Sequence, residues 1–415
     1  MAVEPVEEHA APLFVVAIAI FVSWTAGVTL ASWLSLDGVV SWVVIGVSCI
    51  VGYFAIGMAY GLGYSWYANY KKRRALIELE EAASRGDAAA QFDLGLFHHR
   101  GEIVSQDNAL AMVWYRRAAD QGHAAAQGNL GVMYEYGEGV PEDHTQAVSW
   151  YRRAAEQGYA RAQFKLGWMF AEGKGLPEDK ALASTWYRKA AEQGHPLAQH
   201  LLGAMYYNGN GVPRDTAQAA VWYRKAAEQG NAAAQSNLGC MYDDGVGVPK
   251  DYGQAVAWYL KAAQQGEATA QCNLGVMYAK GKGVPRDDAQ AVSWYRRAAE
   301  QKHVDAQYNL GDRYYNGKGV EKDENEAAVL FRKAAEQGHA YAQNNLGVMY
   351  DCGSGVPEDH TQAVAWFRRA ADQGLAKAQS NLGKMYAYGR GVPRDDAQAE
   401  AWFQKADEQD HADAQ

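Results

Sequence analysis

Not one lysine or arginine occurs in the first 70 residues of this 415-residue chain, so all 39 basic residues follow Tyr70. Of the 48 acidic residues only Glu4, Glu7, Glu8 and Asp37 precede that point, and the remainder of the chain carries a surplus of about five negative charges. Phosphate binding draws on a basic surface, so this balance argues against a nucleic-acid partner. Cysteine is scarce too. Cys49 lies in an apolar segment, and Cys240, Cys272 and Cys352 are scattered singly with no fixed offset, which leaves neither a disulfide framework nor a metal-ligand spacing.

What the first 70 residues do contain is apolar length. After a short acidic N-terminus, residues 1–10, the only charge up to Tyr70 is Asp37, which divides PLFVVAIAIFVSWTAGVTLASWL from GVVSWVVIGVSCIVGYFAIGMAYGLGYSWY. Each stretch exceeds the roughly 20 residues that a bilayer core requires. The expectation is a two-span transmembrane hairpin over 11–70, with Trp24, Trp33, Trp42, Tyr64, Trp66, Tyr67 and Tyr70 suggesting interfacial belts. The run Lys71-Lys72-Arg73-Arg74 follows at once, and positive charge beside a span faces the cytoplasm. Both termini and everything after the hairpin are therefore expected to be cytoplasmic, with a bacterial inner membrane as the location.

From Asp87 onward the chain repeats itself. Taking HAAAQGNLGVMYEYGEGVPEDHTQAVSWYRRAAEQG (His123 to Gly158) as the unit, Trp150 recurs every 36 residues as Trp114, Trp186, Trp222, Trp258, Trp294, Leu330, Trp366 and Trp402. Ala126, Leu130, Met133 and Tyr134 make one stripe of a helix, and Ala147, Trp150, Tyr151, Ala154 and Ala155 make another. Gly137 and Gly139 permit the left-handed turn that ends the first helix, Pro141 blocks its resumption, and Asp143 with Gln146 reads as a capping box for the second. Gly131 sits inside the first helix, where it costs about 1 kcal/mol relative to alanine; it recurs in all nine units, and close packing of the Trp150 ring over bare backbone is the expected offset.

A helix pair this small cannot bury both faces alone. The fold class expected is therefore all-α: a right-handed α/α superhelical solenoid of nine 36-residue helix-turn-helix repeats over 87–410, behind two transmembrane helices. Residues 71–86 read as a basic juxtamembrane segment and capping helix, because Ala82, Ala83 and Gly86 match the phases of Ala154, Ala155 and Gly158. Residues 411–415, HADAQ, read as the start of an incomplete tenth repeat, which would leave the ninth without cover.

The consensus AxAQxxLGxMYxxGxGVPxDxxQAxxWYRKAAEQGxAxAQ resembles the Sel-like repeat, a relative of the tetratricopeptide repeat, across residues 87–415. Two turns depart from it, GEIVSQD in the first unit and Val320-Glu321-Lys322-Asp323 in the seventh. The resemblance implies adaptor and scaffold roles in bacterial envelopes, signalling, polysaccharide regulation or membrane-protein degradation. Some exported members carry a cysteine pair in every repeat; this chain does not.

Positions free to vary between units are the third, sixth, tenth, thirteenth and fourteenth, those that face the concave groove in tetratricopeptide-like folds. They supply Phe92, Leu96, His99, Arg100, Glu135 and Tyr136 early in the array. The peptide-binding candidates are Phe164, Trp168, Tyr207, Asp243, Asp244, Lys280, Tyr308, Asp312, Tyr315, Tyr341, Asp351, Lys384 and Tyr388. Aromatics mixed with carboxylates suit an extended peptide with apolar and basic side chains. Asn129, Asn237, Asn273, Asn309, Asn345 and Asn381 share one position, which is read as a structural bond between units.

No unique constellation of nucleophile, base and orienting group stands out, because most histidines are repeat positions. No enzyme activity, cofactor or metal is expected. The expected function is a membrane-anchored scaffold that binds a protein or peptide in its groove; the alternative is a structural array that self-assembles through an uncapped C-terminal end.

Overall fold

The computed structural model describes residues 74–101 and 104–413. These form nineteen α-helices and no strand. Helix α1 covers 74–84. Each repeat then adds two helices, of 13 residues each except for an 18-residue last one: α2 (Ala88–Arg100) and α3 (Asn108–Asp120), α4 (Ala124–Tyr136) and α5 (His144–Glu156), α6 (Ala160–Glu172) and α7 (Lys180–Glu192). The pattern continues with α8 (Pro196–Asn208), α9 (Thr216–Glu228), α10 (Ala232–Asp244), α11 (Tyr252–Gln264), α12 (Ala268–Lys280) and α13 (Asp288–Glu300). Last come α14 (Val304–Asn316), α15 (Glu324–Glu336), α16 (Ala340–Cys352), α17 (His360–Asp372), α18 (Ala376–Tyr388) and α19 (Asp396–Asp413). The hairpin expected over 11–70 lies outside the described residues. Among the described residues no helix is long and apolar enough to cross a membrane.

The chain divides into two compact units, one up to Ala154 and one from Ala155. In the first, α1 packs Leu76, Leu79 and Ala83 against Ala90 and Leu94 of α2, and Gln91 donates to the Ala83 carbonyl at 3.0 Å. Residues 74–84 thereby cover the first repeat with the same contacts that one repeat later makes to the next.

Local rules set every helix boundary. In seven of the nine repeats the side chain of the residue before the first helix caps it, Tyr159 and Leu375 being the exceptions: His123 Nδ1 accepts from Ala126 N–H at 3.2 Å, and Asn231 does the same for Ala234 at 2.8 Å. The first helix ends on a left-handed glycine such as Gly137 (φ 69°) or Gly245 (φ 74°). The second helix starts at an aspartate whose carboxylate accepts the N–H three residues on, as Asp143 does from Gln146 at 3.0 Å; Asp107 and Asp179 cap equally well with leucine there.

The capping box itself is only half built. Asp143 N–H donates at 2.9 Å to the Tyr134 carbonyl, and Asp215 to Tyr206 and Asp359 to Tyr350 repeat the bond. A carbonyl orphaned near the end of the first helix takes the amide that a glutamine side chain would otherwise reach, because the loop folds back across the helix pair.

The ring over the intrahelical glycine is not the expected tryptophan. A Cβ on Gly131 would lie 2.5 Å from the ring of Tyr151, and one on Gly347 2.7 Å from that of Phe367. Tyr151 is 1 % exposed and Phe367 2 %. Trp150 and its equivalents sit one residue earlier, about 100° round the helix, and each packs under a basic residue three positions on: Lys189 Nζ lies 4.1 Å from the Trp186 ring centre, and Arg369 Cζ 4.4 Å from that of Trp366.

In the second unit the stacking seam is apolar. Ala328, Phe331 and Ala335 of α15 pack with Ala342, Leu346 and Met349 of α16, and Val364, Phe367 and Ala371 of α17 with Ala378, Leu382 and Met385 of α18. A polar thread runs through it. Gln235 donates to the Ala227 carbonyl at 2.9 Å and accepts from Gln265 at 2.8 Å, an arrangement that recurs at Gln199, Gln271 and Gln343. Each of these buried amides is thus satisfied by a backbone carbonyl of the preceding repeat and by an exposed glutamine of its own.

The array ends differently from the expectation. At Asp410 the usual glycine turn is missing, so α19 runs on to Asp413 and no tenth first helix begins at 411. Gln379 Oε1 is buried without the partner that Gln343 finds in Gln373. Where α17 carries Val364 and Ala371, α19 carries Glu400 and Asp407, both exposed. Two of the three seam positions on the outer face of the ninth repeat are therefore charged, with the partly exposed Phe403 the third.

Candidate functional site

Burial of alanine, glutamine, leucine, glycine and methionine at fixed places in each first helix decides which positions stay open. In α6 these are Ala162, Gln163, Leu166, Gly167 and Met169, which leaves Arg161, Phe164, Trp168 and Glu172 on the uncovered side. All thirteen peptide-binding candidates belong to the second unit, and all keep partial or full exposure.

They fall into three groups. Phe164 and Tyr308 are wedged, half-buried, between a ring of their own repeat and the capping histidine of the next. Phe164 stacks on His195 at 4.6 Å and tilts on Tyr187 at 5.9 Å; Tyr308 stacks on His339 at 4.5 Å and tilts on Phe331 at 5.8 Å. Tyr341 extends the second cluster, 6.2 Å from Tyr308, and is 56 % exposed. Trp168 lies one turn on from Phe164, with Lys174 Nζ 4.6 Å from its ring centre.

A second group, near the ends of the first helices, turns toward the loops. Asp351 lies 2.9 Å from His360 Nδ1 and 3.8 Å from Arg390, and Asp243 lies 3.9 Å from Lys282. Tyr315 has Lys322 Nζ 5.9 Å from its ring centre, and the Tyr207 carbonyl accepts from Arg214 at 3.1 Å. These contacts brace adjoining loops, so such residues are less free to meet a ligand than their variability suggests. The third group, Asp244, Lys280, Lys384 and Tyr388, is exposed at the rim, and Asp312 accepts from Asn316 at 2.8 Å.

The recurrent asparagines link neighbouring repeats. Asn237 meets His200 at 3.1 Å, Asn381 donates to Asn344 at 2.9 Å, and Asn273 and Asn309 reach the thiols of Cys240 and Cys272 at 3.5 and 3.8 Å. Between repeats 6, 7 and 8 this row opens into a hollow of about 430 Å³ that holds Tyr308 and Tyr341 together with Cys272, Asp305 and His339. Sequence reasoning passes over His339 and Cys272. Their signal is a histidine opening a unit beside an aromatic at the preceding sixth position, and a thiol at a sixth position that elsewhere carries a ring.

The thiols and imidazoles of the face are perturbed chiefly by burial. Burial pushes the Cys272 thiol up to about 12 and raises that of Cys240, so neither is a ready nucleophile. Burial lowers the imidazoles of His195, His200 and His339, which leaves them neutral near pH 7. Among the described residues no three His, Cys, Asp or Glu side chains are grouped to hold a metal ion.

In the first unit, His99 bridges Glu138 (Nε2, 2.9 Å) and the Tyr115 hydroxyl (Nδ1, 3.4 Å), and burial pushes that phenol up to about 12. Phe92 stacks on His123 at 4.7 Å, the geometry found at Phe164. Glu135, an expected groove residue, is 3 % exposed and accepts from the Tyr151 hydroxyl, so it belongs to the packing.

The Sel1 repeat matches nine consecutive segments, 88–123, 124–159, 160–195, 196–231, 232–267, 268–303, 304–339, 340–375 and 376–411. The fold is similar to that of c5321, a protective antigen of uropathogenic Escherichia coli strains displaying an SLR fold, with TM-score 0.66 and 38 % identity over 80 % of this chain and 79 % of that one. It is also similar to a Sel1 repeat protein from Oxalobacter formigenes, with TM-score 0.57 and 39 % identity over 72 % of this chain and 87 % of that one. No curated protein matches the chain. Repeat period, cap chemistry and backbone agree, and the chain belongs to the Sel1 repeat family.

Proposed function

We propose that the protein is a scaffold that binds a partner protein, through an extended peptide segment, along the open side of its first helices, and that residues 11–70 anchor it in a membrane with the repeats on the cytoplasmic side. The observation that carries the binding reading is the division of labour within each first helix. Packed positions hold the same residue types from repeat to repeat, while open ones range from Arg161 and Trp168 to Asp312, Tyr341 and Lys384. Packing asks for repetition and recognition for difference, so variation confined to one side of a solenoid marks the side that meets a partner. The right-handed coiling expected of such repeats would make that side concave. The anchor rests on the apolar length of 11–70 and on the basic run behind it.

Crosslinking and co-purification of the full chain from native membranes tests both parts. A Trp168→Ser, Asp312→Lys, Tyr341→Ser variant is expected to lose a partner that the unchanged chain recovers, and extraction at alkaline pH to leave the full chain in the membrane pellet. Recovery of the same partner by the variant would remove the groove from the account, and release into the soluble fraction would remove the anchor. Self-assembly through the last repeat is the weaker reading, because Glu400 and Asp407 stand where inner repeats place apolar stacking residues.

A further inference from the structure

We propose that the hollow between repeats 6, 7 and 8 receives the arginine or lysine side chain of a partner's extended peptide, held by the rings of Tyr308 and Tyr341 and the carboxylates of Asp305 and Asp312. This rests on the peptide-binding reading and specifies what one stretch of that face selects.

The hollow, about 430 Å³, falls within the roughly 300–1,000 Å³ of ligand pockets, with room for one long side chain and its adjoining peptide bonds. Its floor is uncharged, because Cys272 is 3 % exposed and burial keeps the thiol protonated. Asn273 and Asn309 line it, and their amides find only sulfur partners, at 3.5 and 3.8 Å. A thiol is a weak acceptor, so a peptide carbonyl offers these amides a better bond.

The walls are aromatic and the rim is anionic. The Tyr308 ring lies against His339 on one side and 6.2 Å from Tyr341. Asp305 stands 3.5 Å from His339 Nε2 with its carboxylate 66 % exposed, and Asp312 lies two turns along the same helix, where its charge adds to burial in raising the Tyr308 phenol. The neutral His339 adds no cation of its own. Ring faces and carboxylates together favour a cationic group, and a guanidinium above all, whereas an anionic side chain would meet two like charges.

The constellation occurs once. At the position of Asp305 the other repeats of the second unit carry Arg161, Leu197, Ala233, Thr269, Tyr341 and Lys377, none of them acidic. The selection is therefore local to repeats 6 to 8, and it fixes the register of a bound peptide.

The test is selection from a phage-displayed library of random dodecapeptides on the full chain in detergent micelles, in parallel with an Asp305→Asn, Asp312→Asn variant whose substitutions are isosteric and solvent-accessible. The expected result is enrichment of peptides with arginine or lysine at one fixed position on the unchanged chain only. Resynthesised winners should bind about tenfold more weakly to the variant, or when that residue becomes glutamine. Enrichment without a fixed basic residue, or equal binding to both proteins, overturns the proposal and leaves the peptide-binding reading standing. No enrichment at all overturns both. Equal binding by a peptide copied from residues 68–77 would reassign the hollow to this chain's own basic segment and overturn the partner peptide.

Discussion

The Cβ that Gly239 lacks would fall 2.6 Å from the ring of Tyr259, a side chain 1 % exposed and fixed between two helices. Alanine there would gain about 1 kcal/mol of helix propensity and lose roughly 1–3 kcal/mol to overpacking, since neither the ring nor the backbone has room to yield. Gly239→Ala is expected to destabilise the chain in urea denaturation followed by circular dichroism, and Tyr259→Leu beside it to recover part of the loss. An unchanged midpoint for Gly239→Ala would show that the seam tolerates a shift.

Left-handed glycines should respond unequally. Gly355 (φ 65°) would place a Cβ 2.1 Å from the Glu324 carbonyl of the previous repeat, whereas Gly338 (φ 94°) has nothing within 4 Å. Gly338→Ala meets only the left-handed backbone penalty of about 1–2 kcal/mol, a conformation Lys302 already adopts at φ 64°. Gly355→Ala adds a backbone collision to that penalty, and its denaturation midpoint should fall at least twice as far.

Acid should loosen the second unit through its capping histidines. His195 and His339 accept helix N–H groups through Nδ1, at 3.3 and 3.1 Å, and burial holds both imidazoles below their ordinary value of 6.5. A depressed folded-state value means the unfolded chain binds protons first. Their contribution is therefore complete above pH 6.5, falls as pH drops below it, and levels off under the folded-state values. Asp305 offsets part of this at His339, and Arg161 reinforces it at His195. Asparagine caps the same position at Asn231 without titrating. The His195→Asn, His339→Asn variant should thus show a flatter midpoint between pH 7 and pH 5; identical profiles would place the acid sensitivity elsewhere.

Charge at the last repeat should keep copies apart. Replacing Glu400 with valine and Asp407 with alanine restores the residues of α17 and creates an apolar stacking face. Sedimentation velocity is expected to show concentration-dependent association of Glu400→Val, Asp407→Ala beyond that of the unchanged chain. Equal association of the two would mean that this face is not what limits stacking.

Helix positions and loop chemistry were legible because each is dictated within one 36-residue unit: Gly137 ends a helix by its own backbone freedom, and Asp143 caps one with its own carboxylate. What was not legible is tertiary. Trp150 recurs as tryptophan in eight units and Tyr151 as tyrosine or phenylalanine in all nine, a difference of one ring at Leu330 that is easily passed over; the crossing of the two helices assigns Tyr151. The Asp143 amide looks free to complete a capping box until the folded loop presents the Tyr134 carbonyl. On the open side, variability marks Asp351 and Asp312 alike. The first lies within 4 Å of His360 and Arg390, and no sequence spacing distinguishes it from the second.

The glutamine thread makes the array modular. Each repeat makes one bond of the thread within itself, as Gln265 to Gln235, and one to the preceding repeat, as Gln235 to the Ala227 carbonyl, so an inner repeat can be excised or duplicated whole and each buried amide still meets its partner. Part of a repeat cannot. Only α1 and α19 are not interchangeable with the rest, the one lying before the first glutamine and the other leaving Gln379 Oε1 unanswered. Length is thereby the freest variable of this architecture, and reach along a partner could be lengthened in 36-residue steps without redesigning any contact.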